Sequence, residues 1–187
     1  MCQSLRLALA TILILMLAAC APRIEPRAER TAAPTELEIA QRIFDQITAL
    51  HVDGLPSDDQ MRLLAPLLTN ELRQALEAAR AWQRGEIERM QREGSEDKPP
   101  FIEGDLFSSL FEGAQSARAV SFVRRDRDLV VTLDRSYGAG TELVRWQDRA
   151  VLKGAGGSYL LDDIEYGGDW TFQAGTSTLR RTLSQRD

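Results

Sequence analysis

The sequence predicts an α+β domain in which N-terminal helices pack on a curved antiparallel meander of about four strands, closed by a short C-terminal helix. Two observations predict it. Apolar residues recur every three to four positions from Leu37 to Met90, and the repeat changes to every second residue from Ala117 onward. The links between the period-two segments are short enough for hairpins, which makes neighbouring strands antiparallel.

Order begins at Thr35, where Thr35-x-x-Glu38 directly after Pro34 is a capping box. Leu37, Ile39, Ala40, Ile43, Phe44, Ile47 and Leu50 form one apolar stripe that carries a first helix to about His51. Gly54-Leu55-Pro56 breaks it, and Ser57-x-x-Gln60 offers a second capping box ahead of Met61, Leu63 and Leu64, with Pro66 limiting that short helix. Thr69 or Asn70 caps a third helix, in which Leu72, Ala75, Leu76, Ala79, Trp82, Ile87 and Met90 keep the period to near Gly94.

Gly94 to Pro100 is a loop by composition. Phe101 to Gly113 is dense in large apolar groups, and Asp105 is placed to start a short buried helical turn carrying Leu106, Phe107, Leu110 and Phe111. Ala117–Arg124, Leu129–Ser136, Leu143–Leu152 and Ser158–Tyr166 read as strands. A final helix is expected from Thr176 to Gln185, with Leu179 and Leu183 inward.

Ahead of this region, Leu7 to Ala19 is an apolar run without an ionisable group, preceded by Arg6. It falls short of the about 20 residues that span a bilayer and fits the core of a secretory signal. The run ends in Leu17-Ala18-Ala19-Cys20, which resembles the lipobox of bacterial lipoproteins. That resemblance implies cleavage before Cys20 and attachment of diacylglycerol to its sulfur, with an amide-linked acyl chain such as palmitate on the new N-terminus. Several chains together hold a protein firmly, where a single chain binds marginally. The expected organisation is a signal peptide at 1–19, the lipidated cysteine and a tether at 20–34, and one domain at 35–187.

The tether, rich in Pro, Ala and charge, reaches about 45 Å when extended. Ala21 stands where Asp commonly marks inner-membrane retention in bacteria with two membranes, so the expected address is the outer membrane, facing the periplasm. Cys2 leaves with the signal, and one mature cysteine makes no internal disulfide.

The chain carries a net charge of −5, and removing the signal takes only the positive Arg6. A mildly acidic domain does not fit nucleic-acid binding, which shows a basic stripe. Gly154-Ala-Gly-Gly157 lacks the phosphate-loop order and fits a hairpin turn. His51 is the single histidine, which leaves no transition-metal set, and Ser108 and Ser109 have no nucleophile-elbow context. No cofactor is implied.

The acids near the last two strands carry more interest. Alternation places Tyr159, Leu161, Asp163 and Glu165 on one face and Leu160, Asp162, Ile164 and Tyr166 on the other. If Asp163 turns inward beside Trp146, Asp148 or Tyr166, it is a carboxylate in an apolar pocket, where desolvation raises its pKa and suits it to proton transfer or ligand binding. The competing reading is solvent-facing acids beside a turn.

Phe101-Ile-Glu-Gly-Asp-Leu-Phe-Ser-Ser-Leu-Phe-Glu-Gly113, Trp146-Gln-Asp148 and Leu161-Asp-Asp-Ile-Glu-Tyr-Gly-Gly168 carry a resemblance. Over roughly residues 36 to 185 the chain resembles a family of uncharacterised bacterial exported lipoproteins, whose domain is similar to the nuclear transport factor 2-like cone of helices and a curved sheet. The resemblance implies a small-molecule pocket, and in some members an isomerase or dehydratase using inward Asp, His or Tyr. No histidine lies in the strands of this chain, which departs from the dehydratase pattern.

The expectation is therefore a non-enzymatic, membrane-anchored domain that binds a small ligand or an envelope protein, with Trp146, Asp148, Asp163 and Tyr166 as candidate ligand-binding residues and Cys20 as the lipidation site. The alternative is an isomerase- or hydratase-type enzyme with Asp163 as base and Tyr166 or Trp146 orienting the substrate. A third reading is a structural factor of the envelope.

Overall fold

The computed structural model describes residues 34–155, 158–168 and 178–186. Pro34 onward forms one compact unit with three helices, a four-stranded antiparallel sheet and a short C-terminal helix, the expected α+β architecture. Cys20 lies outside the described residues.

Helix α1 (Glu36–Ala49) starts at the expected capping box: Thr35 accepts from the Glu38 amide while the Glu38 carboxylate accepts from Thr35 N at 2.7 Å. Its buried face is Ala40, Ile43, Phe44 and Ile47. Helix α2 (Asp58–Leu64) has the second capping box, Ser57 with Gln60, and Pro66 sits in a 3-10 turn over Ala65–Leu67. Helix α3 (Asn70–Glu93) is capped by Thr69, whose hydroxyl accepts from Leu72 N at 3.2 Å. It ends at Gly94, left-handed at φ 65°, a conformation that glycine adopts without steric cost.

Residues 101–113 depart from expectation. Leu106, Phe107 and Leu110 are buried, but they lie in turns and not in a helix. The Asp105 carboxylate accepts from Phe107 N at 2.7 Å as a helix cap would, but Asp105 N donates forward to Phe111 O at 2.9 Å, which folds the segment back on itself instead of continuing it as a helix.

Strands β1 (Ser116–Arg125), β2 (Asp128–Tyr137), β3 (Val144–Ala155) and β4 (Ser158–Glu165) pair in sequence order. Arg125 and Asp128 face each other across a two-residue turn in which Asp126 has φ 57°. The inner face carries Leu129, Val131 and Leu133 of β2, opposite Leu152, Ala150 and Asp148 of β3. The five apolar ones share one buried cluster with residues of α1, α2 and α3, and Asp148 is buried as well.

The simple alternation expected for β4 fails. Leu161 pairs with Leu152 and Asp163 with Val151, which leaves Asp162 as an extra residue and turns both Leu161 and Ile164 inward at 0% exposure. The far edge of β4 is covered: Thr69 N donates to Leu161 O at 2.9 Å, and Thr178 bridges to Glu165. Helix α4 (Leu179–Ser184) turns Leu179 and Leu183 inward as expected; residues 176 and 177, where it was expected to start, lie outside the described residues.

Candidate functional site

At one end of the inner face the apolar stripe of β2 continues into a cation. Leu129, Val131 and Leu133 are followed by Arg135 on the same face, opposite Trp146 of β3. Two positions along β3, Asp148 also points inward, opposite Leu133. Arg135 and Asp148 are 3% and 0% exposed, a fully buried pair with Arg135 Nε 3.4 Å from Asp148 Oδ2.

Burial of a carboxylate requires its oxygens to be satisfied, and here donors converge from three segments. Asp148 Oδ1 accepts from Ser109 Oγ at 2.6 Å and from Gly167 N at 3.0 Å, and Oδ2 accepts from Ser109 N at 3.3 Å and from Trp146 Nε1 at 3.2 Å. Gly168 N in turn donates to Ser109 Oγ at 3.2 Å. A carboxylate has about four acceptor positions, so these donors saturate Asp148. Arg135 is held less completely: it donates to Phe107 O at 2.9 Å and its guanidinium stacks 5.0 Å over the Phe44 ring, while its buried Nε faces Asp148 without a hydrogen bond. Burial pulls the Arg135 pKa below its ordinary value, opposed by the nearby charges of Asp148 and Asp105.

Asp105 is the second acid of this region. Burial raises its pKa to about 6, against the stabilising Phe107 amide and Arg135. Gly113 makes room for it. At φ 82°, a Cβ there would stand 2.8 Å from Asp105 Oδ2.

Two clefts flank the network and Arg135 lines both. One, of about 990 Å³, opens along the ends of β1, β2 and β3 beside Arg118, Asp134, Arg145, Trp146 and Gln147. The other, of about 460 Å³, lies between α1 and the 103–114 segment and includes His51, Asp105 and Phe107.

Among the residues singled out from sequence, Trp146 and Asp148 are in direct contact. Tyr166 joins their neighbourhood by donating from its hydroxyl to Leu106 O at 2.6 Å. Asp163 is not brought to them. The extra residue at Asp162 places it on the outer face, where its Oδ1 accepts from Arg180 N and Ile164 N, both at 2.9 Å. Of the two readings of Asp163, the inward one fails: it is an acid on the outer face that ties α4 to the sheet. Asp162 does similar work, taking Thr69 Oγ at 2.8 Å, Lys153 Nζ at 3.0 Å and Arg180 at 3.1 Å.

Sequence reasoning gives Arg135 no role, reads Asp105 only as the start of a turn and weighs Ser109 only as a nucleophile. The signal for Arg135 was present, since a lone cation extends a period-two apolar stripe. Nothing local announced Ser109, whose partner is 39 residues away.

Among the described residues no group of His, Cys, Asp and Glu is arranged to hold a metal ion, and no helix is long and apolar enough to cross a membrane. No protein-family model, no curated protein and no solved structure matches the chain.

Proposed function

We propose that the chain is an exported bacterial lipoprotein, anchored through lipid on Cys20, whose domain is a non-enzymatic binding module for a small ligand or an envelope protein, outer-membrane-bound and facing the periplasm. The single observation that carries the non-enzymatic part is the saturation of Asp148. The most deeply buried acid of the candidate set accepts from four donors, holds no free lone pair for a substrate proton, and serves as a clasp joining the 106–109 turn to β3 and the 167–168 segment.

Binding falls to the larger cleft. Arg145 adds a cation there to the Arg118–Asp134 and Arg135–Asp148 pairs, and Trp146 supplies an apolar wall, a combination that suits a singly anionic group attached to an apolar or planar body. The enzyme reading with Asp163 as base loses its support, because Asp163 and the Tyr166 hydroxyl bond to different backbone groups. The resemblance to nuclear transport factor 2-like lipoproteins stays part of this proposal on its quoted motifs alone.

The test is one preparation read twice. The Cys20→Ser form is fractionated between membrane and soluble pools, and the released protein is weighed under native conditions. A soluble, folded protein carrying a non-covalent mass supports both halves of the proposal. A Cys20→Ser form that stays with membranes removes the anchor, and a released form without bound mass or envelope partner removes the binding role.

A further inference from the structure

The two edges of the sheet are treated differently. That of β4 is covered by Leu68 and Thr178, whereas β1 is shielded over only half its length. Gln41 of α1 lies along the first half like a short strand, donating from Nε2 to Ala117 O at 2.8 Å and accepting at Oε1 from Ala119 N at 2.8 Å. Beyond it, Ser121 to Arg125 are all exposed, and Val123 at 62% is the most exposed large apolar residue among those described.

In an antiparallel ladder, successive residues turn their backbone groups alternately toward and away from the neighbouring strand. The bonds to Gln41 show that Ala117 and Ala119 face away from β2. The register then slips by one residue between Ala119 and Ser121, which moves the outward set to Phe122 and Arg124. The same result follows from the turn, where the closing pair Arg125 and Asp128 puts Arg124 outward. Side chains follow the register: Phe122, opposite Val131, shares the inner face, and Val123, opposite Val130, the outer one.

We propose that the Ser121–Arg125 edge pairs with the same edge of a second copy of this chain, antiparallel and centred on Val123, joining the two sheets into one. Centring on Val123 is the register that matches the outward groups, since Phe122 then exchanges hydrogen bonds with Arg124 of the second copy, and Arg124 with its Phe122. The side chains agree with it. Val123 meets Val123 on the outer face, and on the inner face Phe122 meets a guanidinium, a favourable cation–π pair.

Charge selects a second copy over an acidic peptide. Exposed edges are commonly guarded by free charges, but here Arg124 is paired with Glu36, and Arg125 with Glu165 at 2.7 Å, a carboxylate it shares with Arg149, so much of the edge's charge is offset where it meets its copy. Gln41 stops the pairing from running past the bulge. Five residues a side bury less than the about 1,200 Å² of a lasting interface, so the contact is transient in dilute solution. Confinement to a membrane raises its occupancy through effective concentration; that clause alone rests on the lipid anchor proposed above.

The pairing is read with single cysteines in the Cys2→Ser/Cys20→Ser background, which removes both natural thiols. At the centre the two Cα atoms stand about 4.5 Å apart, inside the about 4.4–6.8 Å window of a disulfide. Val123→Cys is expected to form an oxidised dimer at least several-fold faster than Leu63→Cys, an equally exposed position on α2. Ser121→Cys and Arg125→Cys are expected to link to each other in a mixture faster than either links to itself. Val123→Cys linking no faster than Leu63→Cys, or self-linking at 121 and 125 as fast as the mixture, overturns the proposal. Neither outcome bears on Cys20, whose role is read by fractionation.

Discussion

Asp148→Asn is the sharpest probe of the buried network. The substitution changes almost no volume, so no cavity is created, and the remaining carbonyl oxygen still accepts from Ser109 Oγ and Gly167 N. What changes is charge: Arg135, 3% exposed, loses its counter-ion, and the new amide turns donors toward Ser109 N and Trp146 Nε1. Breaking a buried pair by removing one partner costs about 3–5 kcal/mol. For a unit of this size each kcal/mol lowers Tm by about 2–4 °C, so a fall of about 10 °C is expected. Urea unfolding at pH 7, followed by circular dichroism, measures the loss directly. Adding Arg135→Met removes the stranded cation, and the double variant is expected to recover at least about 1 kcal/mol relative to the sum of the single changes. A cost below about 1 kcal/mol for Asp148→Asn, or strict additivity in the cycle, would refute the clasp.

Two further predictions concern the neighbouring turn. The folded-state pKa of Asp105, about 6 against an ordinary 3.8, means that the native state holds a proton which the unfolded chain has released between those values. Stability therefore falls as pH rises from about 4 to 6, by at most about 3 kcal/mol, and is flat above; Asp105→Asn should flatten that slope, and an unchanged slope would assign it to another group. Gly113→Ala forces an L residue to φ 82° and crowds Asp105 Oδ2. A loss of about 2 kcal/mol is expected in chemical denaturation, and a neutral result would show that the turn is looser than described.

Much of the fold was legible because its signals are local. Thr35 with Glu38 and Ser57 with Gln60 are four-residue patterns that start helices wherever they occur, and both form their reciprocal bonds here. The change of period at Ala117 marks the sheet for the same reason. The misreadings arise where a distant partner overrides the local pattern. Asp105 looks like a helix start, but its carboxylate serves the turn it sits in. Asp162, drawn to Thr69, Lys153 and Arg180, adds a residue to β4 and flips everything beyond Leu161, which is why Asp163 lands on the outer face. Trp146 and Asp148 were rightly grouped because i and i+2 on a strand share a side. Arg135 belongs with them through cross-strand register, which period-two reasoning does not supply.

The central claim, that this domain works at the end of a lipid anchor on Cys20, is tested most directly by metabolic labelling with radioactive palmitate and fractionation of the natural and Cys20→Ser forms. The account predicts label and membrane retention for the natural chain, and an unlabelled, soluble, folded Cys20→Ser protein. Label in the Cys20→Ser form, or its retention by membranes after a carbonate wash, would contradict it.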